Sequence, residues 1–180
     1  MNWDAVGAIG EVLGSLAVIG SIFYLAVQVR HAAGVAAATA QQSAAQMSID
    51  TLLASLDSQI LSKASRKATA GEELDVEELS NYLRWVWARM RVAENAYYQY
   101  RQGLLGSDAW LGHSASIPAH VGPGGVAEPY WARVSASFSG SFNDEVERVL
   151  DWCKEKGIEL TNITPDQREE YLAMLKKTPI

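Results

Sequence analysis

An apolar segment near the N-terminus, GAIGEVLGSLAVIGSIFYLAVQVR at residues 7–30, constrains the fold more than any other feature. No charged residue occurs in positions 12–29, and Glu11 lies near one end. A helix needs about 20 apolar residues to cross the hydrocarbon core of a bilayer. A signal peptide is disfavoured because no Lys or Arg precedes the run, and a buried core helix is usually shorter. The sequence therefore predicts a transmembrane helix over residues 1–31.

The charges that flank this segment predict its orientation. Arg30 closes the apolar run, and Lys63, Arg66 and Lys67 follow later, whereas Asp4 is the only charge before Glu11. Positive residues remain on the cytoplasmic side of a membrane helix. We therefore expect a single pass with the N-terminus outside and everything after Arg30 in the cytoplasm.

Small residues recur along the apolar segment at steps of three and four, which places them on one helical stripe. Such stripes let two membrane helices approach closely, and the first of these steps of four is a GxxxG motif. The alternative is that they reflect the ordinary composition of membrane helices. The sequence predicts a homo-oligomer interface at Gly7, Gly10, Gly14, Ala17 and Ser21.

Glu11 lies beside this stripe, and Ser15 is one helical turn further on. A carboxylate inside a membrane is energetically expensive and usually has a function. We consider an interhelical hydrogen bond that involves Glu11 and Ser15, or a ring of Glu11 residues that lines a cation path. A third interpretation is that Glu11 only marks the water interface.

Residues 32–70 are first rich in alanine and then amphipathic, which predicts a helix. A bend is expected at Gly34, and whether the segment continues the membrane helix is left open. We expect the stretch from Ile49 to Leu61 to pack against the next helix, across a turn at Gly71. The apolar residues of this stretch are Ile49, Leu52, Leu53, Leu56, Ile60 and Leu61.

Residues 71–180 are predicted to form a helical domain with a loop near residues 112–128. Its longest helix begins at a capping box, Asp75 with Glu78, and ends where Gly103 can adopt a left-handed conformation. The apolar residues of this helix follow a coiled-coil-like heptad stripe. They are Val76, Leu79, Leu83, Val86, Met90, Ala93, Tyr97 and Tyr100.

Two further helices are indicated near the C-terminus. One carries Phe142, Val146, Val149, Leu150 and Cys153 on its apolar side and ends near Gly157. The other begins at a capping box formed by Thr164 and Gln167, with proline at its first position. No window alternates as a strand does, so the sequence predicts an all-α protein: a transmembrane helix followed by a cytoplasmic helical hairpin or bundle.

The sequence contains no recognisable catalytic or cofactor-binding motif, and we expect no catalytic residue, metal or cofactor. His113 and His120 are expected to be exposed loop residues, and Cys153 to be a buried, unreactive thiol. A polar pocket near the two histidines would instead favour an enzyme. The net charge of −6, without a dense basic stripe, argues against nucleic-acid binding.

Residues 3–11 and 25–30 carry a resemblance to a known group. They read WDAVGAIGE and LAVQVR, and they resemble the transmembrane segment of a group of small uncharacterised bacterial single-pass membrane proteins. This resemblance implies anchoring in the bacterial inner membrane and makes Glu11 part of the motif. It implies no activity.

Together these features predict a membrane-anchored interaction or scaffold protein that self-assembles through its transmembrane helix. Its expected partners are copies of itself and the lipid bilayer, with any other protein partner unknown. The alternative is an oligomeric ion channel with a ring of Glu11 residues.

Overall fold

The computed structural model describes the backbone of residues 3–157 and 164–177. Within these ranges it leaves out the side chains of residues 3–9, 12 and 175–177. The described residues are mostly helical and include no β-strand, which confirms the predicted all-α fold. The chain divides into two compact units, Met1–Thr39 and Ala40–Ile180.

The first helix, α1, spans Trp3–Leu56 without interruption. It therefore continues beyond the apolar segment and through Gly34, where a bend was expected. Its alanine-rich middle is favourable because alanine has the highest helix propensity. The helix ends where Ser58 caps the next one, since the Ser58 hydroxyl accepts the Leu61 N–H at 3.2 Å.

The other described helices all belong to the second unit, and two of them occupy part of the segment predicted to be a loop. Pro118 fits inside the short helix there because the first turn needs no hydrogen bond from its nitrogen. The helices are α2 (Gln59–Ala70), α3 (Val76–Arg101), α4 (Ser107–Ser114), α5 (Ile117–Val121), α6 (Glu128–Val134), α7 (Gly140–Lys156) and α8 (Pro165–Lys177), with a 3-10 turn at Ser135–Ser137.

The predicted capping box of α3 is confirmed. The Asp75 carboxylate accepts the N–H groups of Glu77 and Glu78 at 2.9 Å, and Glu78 accepts the Asp75 N–H at 3.0 Å. Gly103, with φ of +69°, follows the end of the helix as predicted. The predicted apolar stripe is buried at Val86, Met90, Ala93 and Tyr97 but wrong at Val76, which is 87% exposed.

Helix α3 packs against α2, but of the stretch from Ile49 to Leu61 that was expected to pack there only its C-terminal end, with Leu61, belongs to α2. Leu61 and Ala64 of α2 are buried in the core, whereas Ile49, Leu52, Leu53 and Leu56 are 49–70% exposed. The expectation that this apolar stretch of α1 packs against α3 was therefore wrong.

The core of the second unit is built around Trp110, which is completely buried. Its ring stacks on Tyr100 at a centroid distance of 6.1 Å, and its indole N–H donates to Glu145 at 3.1 Å. Arg148 donates to the same carboxylate at 2.6 and 2.9 Å, so the buried charge of Glu145 is compensated. Tyr171 of α8 donates to the buried Ser114 hydroxyl at 2.7 Å, which fastens α8 to α4.

Glu78 is expected to make the fold sensitive to acid. The ion pair with Lys63 and the hydrogen bond from Lys67, both at 2.7 Å, together with a hydrogen bond from the Asp75 N–H, lower its pKa from 4.5 to about 2. Because the folded state holds the ionised form, this stabilisation is complete above pH 4.5 and is lost as the pH falls towards 2.

Glu78→Gln should therefore unfold at lower urea concentration at pH 7 and show a flatter pH dependence between pH 4.5 and 2. Urea unfolding curves across that range measure this. Glu77→Gln, which changes an exposed neighbour in the same turn, is the control. An equal acid sensitivity in wild type and Glu78→Gln would contradict the assignment.

Candidate functional site

Helix α1 contains one stretch that is long and apolar enough to cross a membrane, by length and composition only. This stretch lies within Leu13–Leu56, and none of its most apolar window is buried. Phe23 and Leu25, for example, are 72% and 60% exposed. The described part of the chain therefore leaves these apolar side chains uncovered.

The described residues of the predicted small-residue stripe are exposed. Gly10, Gly14, Ala17 and Ser21 are exposed on α1, while Gly7 lies outside the residues whose side chains are described. A Cβ added at Gly10 or Gly14 would meet no described atom within 4 Å, so no described residue requires glycine at either position. The oligomer interface stays a prediction.

The interhelical hydrogen bond that involves Glu11 and Ser15 requires a second copy of the helix and stays a prediction. The Ser15 hydroxyl donates to the backbone carbonyl of Glu11 at 2.8 Å, which satisfies it within its own helix. The Glu11 side chain is exposed, and within the described part of the chain its carboxylate has no hydrogen bond or ion pair. Its roles in assembly or in a cation path stay predictions.

The C-terminal part of α1 has an exposed apolar face, which we call the distal stripe: Ile49, Leu52, Leu53 and Leu56. Their spacing of three, four and seven residues places them on one side of the helix.

A different side of the same segment is the one that is covered. Ala44 on this side is buried, and the sulfur of Met47 accepts a hydrogen bond from Asn95 of α3 at 3.1 Å. The large aliphatic residues of the distal stripe are thus exposed, whereas the sequence predicts that they pack against α3.

The two histidines expected in an exposed loop lie on short helices instead. His113 is in α4 and His120 in α5, and both are partly buried. Burial, together with the nearby positive charge of Arg89, lowers the pKa of His120 from 6.5 to about 4 and lowers that of His113 as well. Both imidazoles are therefore uncharged at neutral pH.

His120 lines a cleft of about 770 Å³ in the second unit, and His113 does not. The cleft lies among α2, α3, α5, α7 and the segment that follows α5. Cys153 also lines it, and burial raises the pKa of its thiol to about 11, so the thiolate needed for nucleophilic attack is scarce at neutral pH. Residues far apart in sequence form this cleft, and no motif in the sequence predicts that they come together.

His120 should make the protein less stable in mild acid. The unfolded imidazole binds a proton near pH 6.5, but the folded one does so only near pH 4. As the pH is lowered from 6.5 to about 4, the free energy of unfolding should therefore fall by up to roughly 3 kcal/mol. In His120→Gln this fall should shrink, whereas His31→Gln, which changes an exposed residue of α1, should leave it intact. Denaturant titrations at several pH values measure it, and an unchanged fall in His120→Gln would contradict the assignment.

Among the residues that the structure describes, no group of three or more His, Cys, Asp and Glu side chains is arranged to hold a metal ion. Comparison of the chain with protein-family models, with curated proteins and with solved structures gave no match.

Proposed function

We propose that this protein is a membrane-anchored helical scaffold that self-associates through α1 and presents its helical bundle for interaction. The observation that carries the proposal is that α1 is unbroken and exposes large apolar side chains in the candidate span and again at the distal stripe. Its partners are the lipid bilayer and other copies of the chain, and no catalytic role is proposed.

In this proposal the lipid bilayer covers the exposed apolar side chains of the candidate membrane span. Contiguous exposed apolar surface usually marks a contact with membrane or protein. The uncharged run at residues 12–29 nearly matches the length that a membrane helix needs. Arg30 at its end supports an N-terminus outside and a cytoplasmic bundle.

The resemblance of residues 3–11 and 25–30 supports placement in the bacterial inner membrane. We propose on this basis that the chain belongs to the group of small single-pass membrane proteins that it resembles. The group supplies a location for the protein and no activity.

In this proposal a second copy of the chain packs against the distal stripe. Counting in steps of seven from Gly7 reaches Ile49 and Leu56, and the same count from Gly10 reaches Leu52. The small-residue stripe and the distal stripe therefore share one heptad register in the sequence. Copies anchored in one membrane with the same orientation are parallel, and in a parallel pair with a left-handed supercoil such positions face their counterparts.

Substitution of the exposed glycines tests the proposal. Gly10→Ile and Gly14→Ile should each weaken self-association by at least about tenfold, because the branched side chain prevents close approach of two helices. Gly20→Ile is the matched control, since Gly20 lies off the stripe and its surroundings are equally open. Energy transfer between donor- and acceptor-labelled copies in liposomes measures association. The stripe is not the interface if all three variants behave alike.

A further inference from the structure

The cleft in the second unit has the size and lining of a small-molecule site. Its volume of about 770 Å³ falls within the roughly 300–1,000 Å³ of typical ligand pockets. One wall is aromatic: Trp85 lies between Tyr82 at 5.8 Å and His120 at 5.0 Å, measured between ring centroids. Leu150 and Val126 add aliphatic surface. These side chains can therefore cover an apolar group of modest size inside the cleft.

The charges at the cleft are positive although the chain as a whole carries a net charge of −6. Lys154 lines the cleft, and no acidic side chain does so among the described residues. Arg89 lies close enough for its charge to lower the pKa of His120. It is partly buried and has no hydrogen bond or ion pair with any described residue. A guanidinium in that position lacks a compensating anion.

The same region also has an unused hydrogen-bond donor. The Trp85 Nε1 atom is buried and donates to no acceptor in the described part of the chain. Buried donors are nearly always paired, so an unpaired one requires an explanation. His120 is uncharged at neutral pH because burial and Arg89 lower its pKa. An apolar group can therefore pack against its ring without covering a charge.

We propose that the cleft lined by Trp85, His120 and Lys154 binds a small organic monocarboxylate with an apolar body. The body packs against the aromatic and aliphatic wall. The carboxylate compensates the positive charge of Lys154 and offers an acceptor to the Trp85 indole. This site is independent of assembly through α1.

The test uses the full chain in lipid nanodiscs, with 3-phenylpropionate as the probe. The amide 3-phenylpropionamide and the cation 3-phenylpropylamine have the same apolar body and different charge. Calorimetry gives the affinities, and the indole N–H resonance of Trp85, assigned from Trp85→Phe, gives the location. We expect saturable binding of the carboxylate with movement of that resonance, weaker binding of the amide, and none of the amine.

Two variants with matched controls identify the contacts. Trp85→Phe should weaken binding by about tenfold, whereas Trp87→Phe, which changes a tryptophan outside the cleft, should not. Lys154→Gln should weaken carboxylate binding by about two- to fivefold and leave amide binding unchanged. Lys156→Gln removes the same charge from the same helix outside the cleft and should have no effect. Because Lys154 is exposed, its variant tests the site even if Trp85→Phe does not fold.

Three results would overturn the proposal. The first is the absence of saturable 3-phenylpropionate binding up to about 10 mM. The second is binding of the amine as tight as that of the carboxylate. The third is binding that leaves the Trp85 resonance unmoved and is insensitive to both Trp85→Phe and Lys154→Gln.

Discussion

Trp110→Ala should lower the free energy of unfolding of the helical bundle by about 3–5 kcal/mol, the range for removing a large aromatic side chain from a core. Trp110 is fully buried, its ring contacts Tyr97 and Tyr100, and it donates to the buried Glu145. The substitution therefore leaves a cavity and removes one partner of a buried carboxylate. Urea unfolding followed by circular dichroism measures the loss.

Trp110→Phe is the informative companion variant. It retains most of the apolar volume and loses the indole donor, while Arg148 continues to hold Glu145. We expect a loss of about 1–3 kcal/mol, the cost of an unmade buried hydrogen bond. If Trp110→Ala were within about 1 kcal/mol of wild type, Trp110 would not be central to the core.

Replacing Ile49, Leu52 and Leu56 together with serine should weaken self-association by at least about a thousandfold. Each aliphatic side chain contributes about 1.5–3 kcal/mol when it passes from water into an interface. The bundle should remain folded in this variant because all three side chains are exposed in the single chain. Energy transfer between labelled copies and far-ultraviolet circular dichroism measure the two effects separately.

The matched control changes three exposed residues on the polar side of the same segment. It combines Ser43→Ala, Asp50→Ser and Ala54→Ser, all within α1. Association in this control should be close to that of wild type. If the control weakens association as much as the variant of the distal stripe, the stripe is not the contact surface.

Local signals allowed much of the second unit to be predicted from its sequence. The capping boxes at Asp75 and Thr164 could be predicted because their hydrogen bonds join residues that are three positions apart. Gly157 ends α7 with φ of +63°, as its position after a basic last turn indicates. The apolar side of α7 is buried as expected because helical period alone defines that side.

Features that depend on distant residues could not be predicted. Helices α4 and α5 are short, and burial of Trp110, Ile117 and Val121 in the tertiary core stabilises them rather than propensity. The face of α1 that meets α3 was misassigned because large apolar residues were expected to face the bundle. Small residues such as Ala44 do so instead.

The cleft also could not be predicted from the sequence. Trp85, His120 and Lys154 come from three helices, and no motif joins them. The lack of a partner for Arg89, and for the Trp85 indole, appears only when the surrounding side chains are placed. In the sequence these residues are consistent with an ordinary core and an ordinary charged surface.

The mass of the complete chain, with α1 intact, tests the central proposal most directly. Native mass spectrometry of protein extracted in a mild detergent should show an oligomer of defined stoichiometry at low micromolar concentration. The variant with serine at positions 49, 52 and 56 should be monomeric under the same conditions. A wild-type protein that is monomeric throughout would contradict assembly through α1.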